Sequence, residues 1–266
     1  ETGDREPVRF KGFVARFCLP VVDGESNGDL KLVRGDRGEM LIMWSPPPWL
    51  RGMPIRQFLD FLDKAIHHEK AWLCRDSVVK KAGCRDRNMF DACQHMVVPE
   101  IACFDASYAE LCTDWGPANI FISHVWAESA GVTHDAIQKL AVALELKGPS
   151  DASLSGPMGS GDGPRVWFCT ACNNQSRVQC ELGDKVLSSP FAQVVRNSLC
   201  ATVLIVSPLR ALERKWCTFE FCFAGTLDKE VLMLTEDGVV QEGHVTPQAL
   251  HGLAERLVDF ECRSAT

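Results

Sequence analysis

The sequence predicts an α/β protein whose parallel sheet is covered by helices on both sides. Two observations carry this. Short segments apolar on both faces recur at 120–123, 166–169, 201–206 and 231–234, and between them come segments whose apolar residues repeat at three and four positions. Strands that alternate with helices, each strand apolar throughout, require cover on both faces of the sheet.

In order along the chain, the first part reads differently. Between Phe13 and Trp44 the runs 13–15, 19–22, 30–33 and 40–44 are punctuated by Asp23-Gly24, Asn27-Gly28 and Gly35-Asp36, the pattern of a small antiparallel meander. Pro46-Pro47-Pro48 ends it. Ile55, Phe58, Leu59, Leu62 and Ile66 predict an amphipathic helix within 55–81, and a second is expected at 88–97. Residues 1–115 thus form an α+β lead-in, and the division falls near residue 116. Beyond it follow the strand 120–123, a helix at 136–146, and a stretch at 148–164 rich in Gly, Ser, Pro and Asp that has the composition of a flexible insertion. The strand 166–169, a helix at 191–199, the strand 201–206, a helix at 213–224, the strand 231–234 and a closing helix at 247–260 complete the chain.

Composition bounds the function. The 266 residues are 46% hydrophobic and 24% charged, a globular balance. Lys and Arg number 16 against 18 acids up to Trp115 and 12 against 17 after it, so no basic half exists to bind nucleic acid. The longest apolar stretch, about 201–206, is far short of the roughly 20 residues of a membrane span. Thirteen cysteines, an odd number without a compact framework, argue for thiols in a reducing, cytoplasmic setting. The chain opens on Glu-Thr-Gly with no leader pattern after it, which is expected of a processed form or of a piece of a longer protein.

Ligands of open parallel sheets bind beyond the carboxyl ends of the strands. Here those ends carry Ser123, His124 and Trp126, then Asn173, Asn174 and Gln175, then Ser207. Polar loops are ordinary one at a time; three together predict a crevice. On the helix that follows, Trp216, Glu220 and Phe223 stand at i, i+4 and i+7, which sets a carboxylate among large aromatics. Such a Glu is either an active-site carboxylate with a raised pKa or a buried one satisfied by a backbone amide or by Arg210 or Arg214. Cys169-x-x-Cys172 with Cys180, and Cys84, Cys93, His95 and Cys103, fit no complete zinc pattern, so no metal is expected. His124 with Cys217 lacks the orienting acid of a hydrolase.

Phe121-Ile122-Ser123-His124-Val125-Trp126, then Val166-Trp167-Phe168-Cys169-Thr170-Ala171-Cys172-Asn173-Asn174-Gln175, then 201–207 followed by Trp216-Cys217-Thr218-Phe219-Glu220, resemble in order the signatures of Toll/interleukin-1 receptor (TIR)-like domains, closest to those of algae and other protists. The resemblance covers roughly 118–260; in the lead-in only Ser107-Tyr108-Ala109-Glu110 looks similar. It implies a flavodoxin-like fold for 116–266 and, in the enzymatic branch of the family, cleavage of the nicotinamide glycosidic bond of NAD in signalling or innate immunity. Glu220 then takes the catalytic position, with Ser123, His124, Trp126, Asn173, Asn174, Ser207 and Trp216 expected to bind substrate. Trp126 would stack on a base and His124 would hold phosphate or ribose. NAD would be the substrate, with no separate cofactor. The chain departs from the family in the acid usually found at the end of the second strand, where it has Cys169-Thr170-Ala171-Cys172, but keeps Leu182-Gly183 in the loop that mediates TIR assembly. The rival expectation is a non-enzymatic adaptor that self-associates through sheet and loop surfaces.

Overall fold

A computed structural model describes residues 29–34, 40–67, 87–112, 114–147, 163–235 and 238–240. The chain divides into two compact units, Glu1–Pro47 and Pro48–Thr266. In the first, β1 (Asp29–Arg34) pairs antiparallel with β2 (Met40–Ser45), from Asp29 opposite Ser45 to Arg34 opposite Met40. These are the last two runs of the expected meander; the first two lie outside the described residues.

The second unit opens with β3 (Met53–Pro54) and α1 (Ile55–His67), which buries Ile55, Phe58, Phe61, Leu62, Ala65 and Ile66 as its periodicity requires. Residues 68–81 of that expected helix are outside the described residues. Asn88 caps α2 (Met89–Ala92) by accepting from the Phe90 and Asp91 amides, and the helical path continues through a π-helical stretch, Cys93–Val97, into α3 (Val98–Ile101). Then come β4 (Ile120–Ser123), α4 (Ala130–Lys147), β5 (Arg165–Phe168), the single turn α5 (Cys169–Cys172), α6 (Val178–Leu182), α7 (Pro190–Arg196), β6 (Thr202–Val206), α8 (Pro208–Ala211), α9 (Lys215–Thr226), β7 (Glu230–Thr235) and β8 (Gly238–Val239). The helix expected at 136–146 starts earlier because the Ser129 hydroxyl accepts the Gly131 amide and organises a first turn that Gly131 and Thr133 conceal.

The molecule is α/β, with a mixed, mostly parallel six-stranded sheet in the order β3-β5-β4-β6-β7-β8. β5, β4, β6 and β7 run parallel, and β3 and β8 add antiparallel at the two sides. Every residue of β4 and β6 is buried, as strands covered on both faces must be. From β4 the chain crosses to β5 on one side and later reaches β6 on the other. Right-handed crossovers in opposite directions put α4 and α7 on opposite faces, in keeping with α1 packing on α4 and α7 on α9. Phe121 stacks on Trp167 at 5.1 Å, with Phe191 of α7 edge-on to both, and Phe58 and Phe61 of α1 close on Phe168.

Two expectations change. The compact unit begins at Pro48 rather than near residue 116: β3 pairs with β5, the Gly52 and Gly116 backbones exchange hydrogen bonds of 2.7 and 2.9 Å, and the Ala118 amide donates to the Trp49 carbonyl. A Cβ on Gly52 would lie 2.8 Å from the Ala118 Cα, so only glycine permits this approach. Cys169 is not a strand residue either; β5 stops at Phe168 and Cys169 and Cys172 share the turn α5. All but the last two residues of the expected insertion, and the whole of the expected helix 247–260, lie outside the described residues. Among the described residues no helix is long and apolar enough to cross a membrane.

Candidate functional site

Strand order reverses at β4, and the carboxyl ends of β4 and β6 lie side by side, Ser123 opposite Ile205. The connections that leave β4 and β6 part here to opposite faces, which in open parallel sheets is the position of the ligand crevice. Ser123 is the last residue of β4. The second helix after β6, α9, turns Cys217, Glu220 and Ala224 inward, and Ser123 Oγ donates a 2.5 Å hydrogen bond to Glu220 Oε2. Glu220 is 4% exposed, and burial pushes its carboxyl up to about 8 even though the Ser123 hydroxyl works in the opposite direction. Arg210 pairs instead with Glu128 at 3.3 Å, and among the described residues no arginine faces Glu220.

Around this pair the loop after β4 is folded inward. His124 stacks on Phe168 at 3.8 Å, and burial lowers its pKa to about 3, so it is a neutral imidazole and supplies no positive charge to a phosphate. Its Nε2 lies 3.8 Å from Cys169 Sγ, while Trp126 Nε1 donates to the same sulfur at 3.0 Å. Cys217 Sγ sits 3.4 Å from the His124 carbonyl. Burial pushes the Cys217 thiol up to about 12 and Cys169 higher still, which keeps both protonated and removes the thiolate that a Cys/His hydrolase needs. The described cysteines are free thiols. Among the described residues no three His, Cys, Asp or Glu side chains gather as metal ligands.

The remaining expected residues serve other ends. Asn174 accepts from the Ser176 amide and donates to Asp105, so it caps a turn. Asn173 is buried with its Oδ1 unpartnered, and the neighbouring Gln175 donates to the Cys169 and Thr170 carbonyls. Ser207 follows β6 in the left-handed region, φ 50°, and caps α8, its carbonyl accepting the Arg210 and Ala211 amides. Trp216 points at Phe191 of α7 and, with Phe223, at Phe219; the aromatics form a stripe beside the Glu220 face, not around it. Of the predicted residues, the fold therefore gathers Ser123, His124, Trp126 and Glu220.

No family model, curated protein or solved structure matches this chain. A carboxyl that titrates near pH 8 behind a serine hydroxyl takes up or stabilises positive charge once ionised, in surroundings dry enough to make that interaction strong. Cys169 as the hub between His124 and Trp126 is not legible in the sequence, where the apolar run of β5 continues through it. Nor is the Glu128–Arg210 pair, which joins the loop after β4 to α8 across 82 residues and has no local signal.

Proposed function

We propose that this chain is a TIR-like domain that hydrolyses the nicotinamide glycosidic bond of NAD in signalling or defence. One observation carries the reading: Glu220, without an arginine partner, meets Ser123 at the strand-order reversal, where a parallel sheet offers its ligand crevice. The order β5-β4-β6-β7 supports it, since renumbered along the chain these parallel strands run 2-1-3-4, as the first four of a flavodoxin-like sheet do.

In this mechanism the C–N bond between ribose and the cationic nicotinamide breaks, the electron pair leaves with neutral nicotinamide, and positive charge passes to the ribose. Ionised Glu220 stabilises that oxocarbenium-like centre, Ser123 holds the carboxylate in place, and water adds to give ADP-ribose and a proton. No acid is needed for the leaving group. The test is incubation of concentrated protein with NAD, with nicotinamide release followed beside Glu220→Ala. Release is expected to depend on Glu220 and to rise with pH through about 8, because the carboxylate is the working form. Release equal in the variant, or none under any assembly condition, sinks the reading.

A second reading, a self-associating adaptor without catalysis, has its own support. After Gly183, at φ +63°, Val186 and Leu187 are 45% and 56% exposed on the loop that in TIR-like domains mediates assembly. Concentration-dependent association that Leu187→Ser abolishes, with no nicotinamide release, is the outcome that favours it.

A further inference from the structure

The segment between α1 and β4 reaches the site. The Met89 amide donates to the Trp126 carbonyl at 2.9 Å, the Ala130 amide to the Arg87 carbonyl, and Asn88 bridges Ser129, so residues 87–89 are laid against the loop leaving β4. Phe90, next along, is 47% exposed, and its ring lies 5.2 Å from Trp126 at 62°. Trp126 cannot swing freely, because its indole N–H is held on Cys169, which itself lies against His124, the neighbour of the Ser123 that holds Glu220. The two aromatics meet edge to face, Trp126 anchored on Cys169 and Phe90 half exposed, so the pair presents a ring surface to solvent on which a flat ring can stack. A cationic ring gains most there, since the aromatic faces carry negative charge.

We propose that Phe90 and Trp126 form the stacking surface for the pyridinium ring of the substrate, an inference that rests on the NAD-cleaving reading and assigns a substrate contact to α2, between β3 and β4. The pyridinium end is chosen over adenine because the bond to be broken must lie beside Glu220, and Trp126 reaches that region through Cys169.

The test is calorimetric titration of the full chain carrying Glu220→Gln, so that no turnover intervenes, with nicotinamide mononucleotide, its reduced neutral form and ADP-ribose. Phe90→Ala is expected to weaken nicotinamide mononucleotide by roughly fivefold to a hundredfold, to affect the neutral form less, and to leave ADP-ribose unchanged. Phe90→Tyr and Phe90→Trp should restore binding and Phe90→Leu should not, which separates ring stacking from packing. The inference falls if nicotinamide mononucleotide does not bind, if Phe90→Ala binds it as tightly as the parent, if the aromatic replacements lose as much as alanine, or if ADP-ribose weakens in step. Nicotinamide release by the natural chain with an unchanged KM in Phe90→Ala overturns this inference alone. Phe90-dependent binding without any release overturns the hydrolase alone.

Discussion

Glu220 binds its proton more tightly in the folded chain than in the unfolded one, about 8 against an ordinary 4.5. Between those values the folded state holds a proton that the unfolded state has released, so the stability contributed by this group is full below pH 4.5 and is lost as pH rises through 8. Glu220→Gln, neutral at every pH, should match the natural chain near pH 4 and exceed it progressively above, by roughly 1.4 kcal/mol for each unit of elevation. Melting temperatures taken from pH 4 to 9 check this; parallel curves would mean that the carboxyl ionises normally. The sequence showed that a carboxylate sits among aromatics on this helix, but it set the stripe one residue off. Small Cys217 and Ala224 let α9 approach β6 closely and turn Glu220 inward, whereas Trp216, Phe219 and Phe223 are too large for that face and fill the flank toward α7. Which of two adjacent stripes faces a sheet is decided by the neighbouring helix, and that neighbour is invisible to periodicity.

At the scale of elements, Arg51 ties together the turns beyond β5. Arg51 reaches Glu181 at 2.8 Å, Glu110 at 3.7 Å and the Cys172 carbonyl at 3.3 Å, and Glu110 in turn accepts from the Ser107 amide and hydroxyl. Burial raises the Glu110 pKa while Arg51 opposes it. Arg51→Ala leaves two mostly buried carboxylates unpaired and should cost about 3–5 kcal/mol in denaturant unfolding at pH 7. The deficit should shrink as the pH is lowered and Glu110 protonates; a loss independent of pH would mean that Arg51 acts by packing alone. Strand and helix existence was legible here, because apolar runs and helical periods are local. The short turns α5 and α6 were not, since they are organised by Arg51 and Gln175 from outside the segment.

For the whole molecule the boundary matters most. Phe58, Phe61, Gly52 and Trp49 precede residue 116, yet they complete the core and border of the sheet. A chain beginning at Pro48 should melt cooperatively, and one beginning at Gly116 should not, because it exposes Phe168 and strips β5 of its antiparallel neighbour; calorimetry of the two distinguishes them. The lead-in looked separate because its rhythm is not that of the alternating part, and rhythm says nothing about long-range pairing. The two sides of the sheet end in β3 and β8, each two residues long and antiparallel to the strand beside it. The strands that close the described sheet, β3 and β8, offer an incoming strand two residues each to pair with. Copies of this chain that gather on one another would therefore be expected to meet through side chains on helices and loops, and the resulting assembly should dissolve on dilution, unlike a fibril built by strand addition.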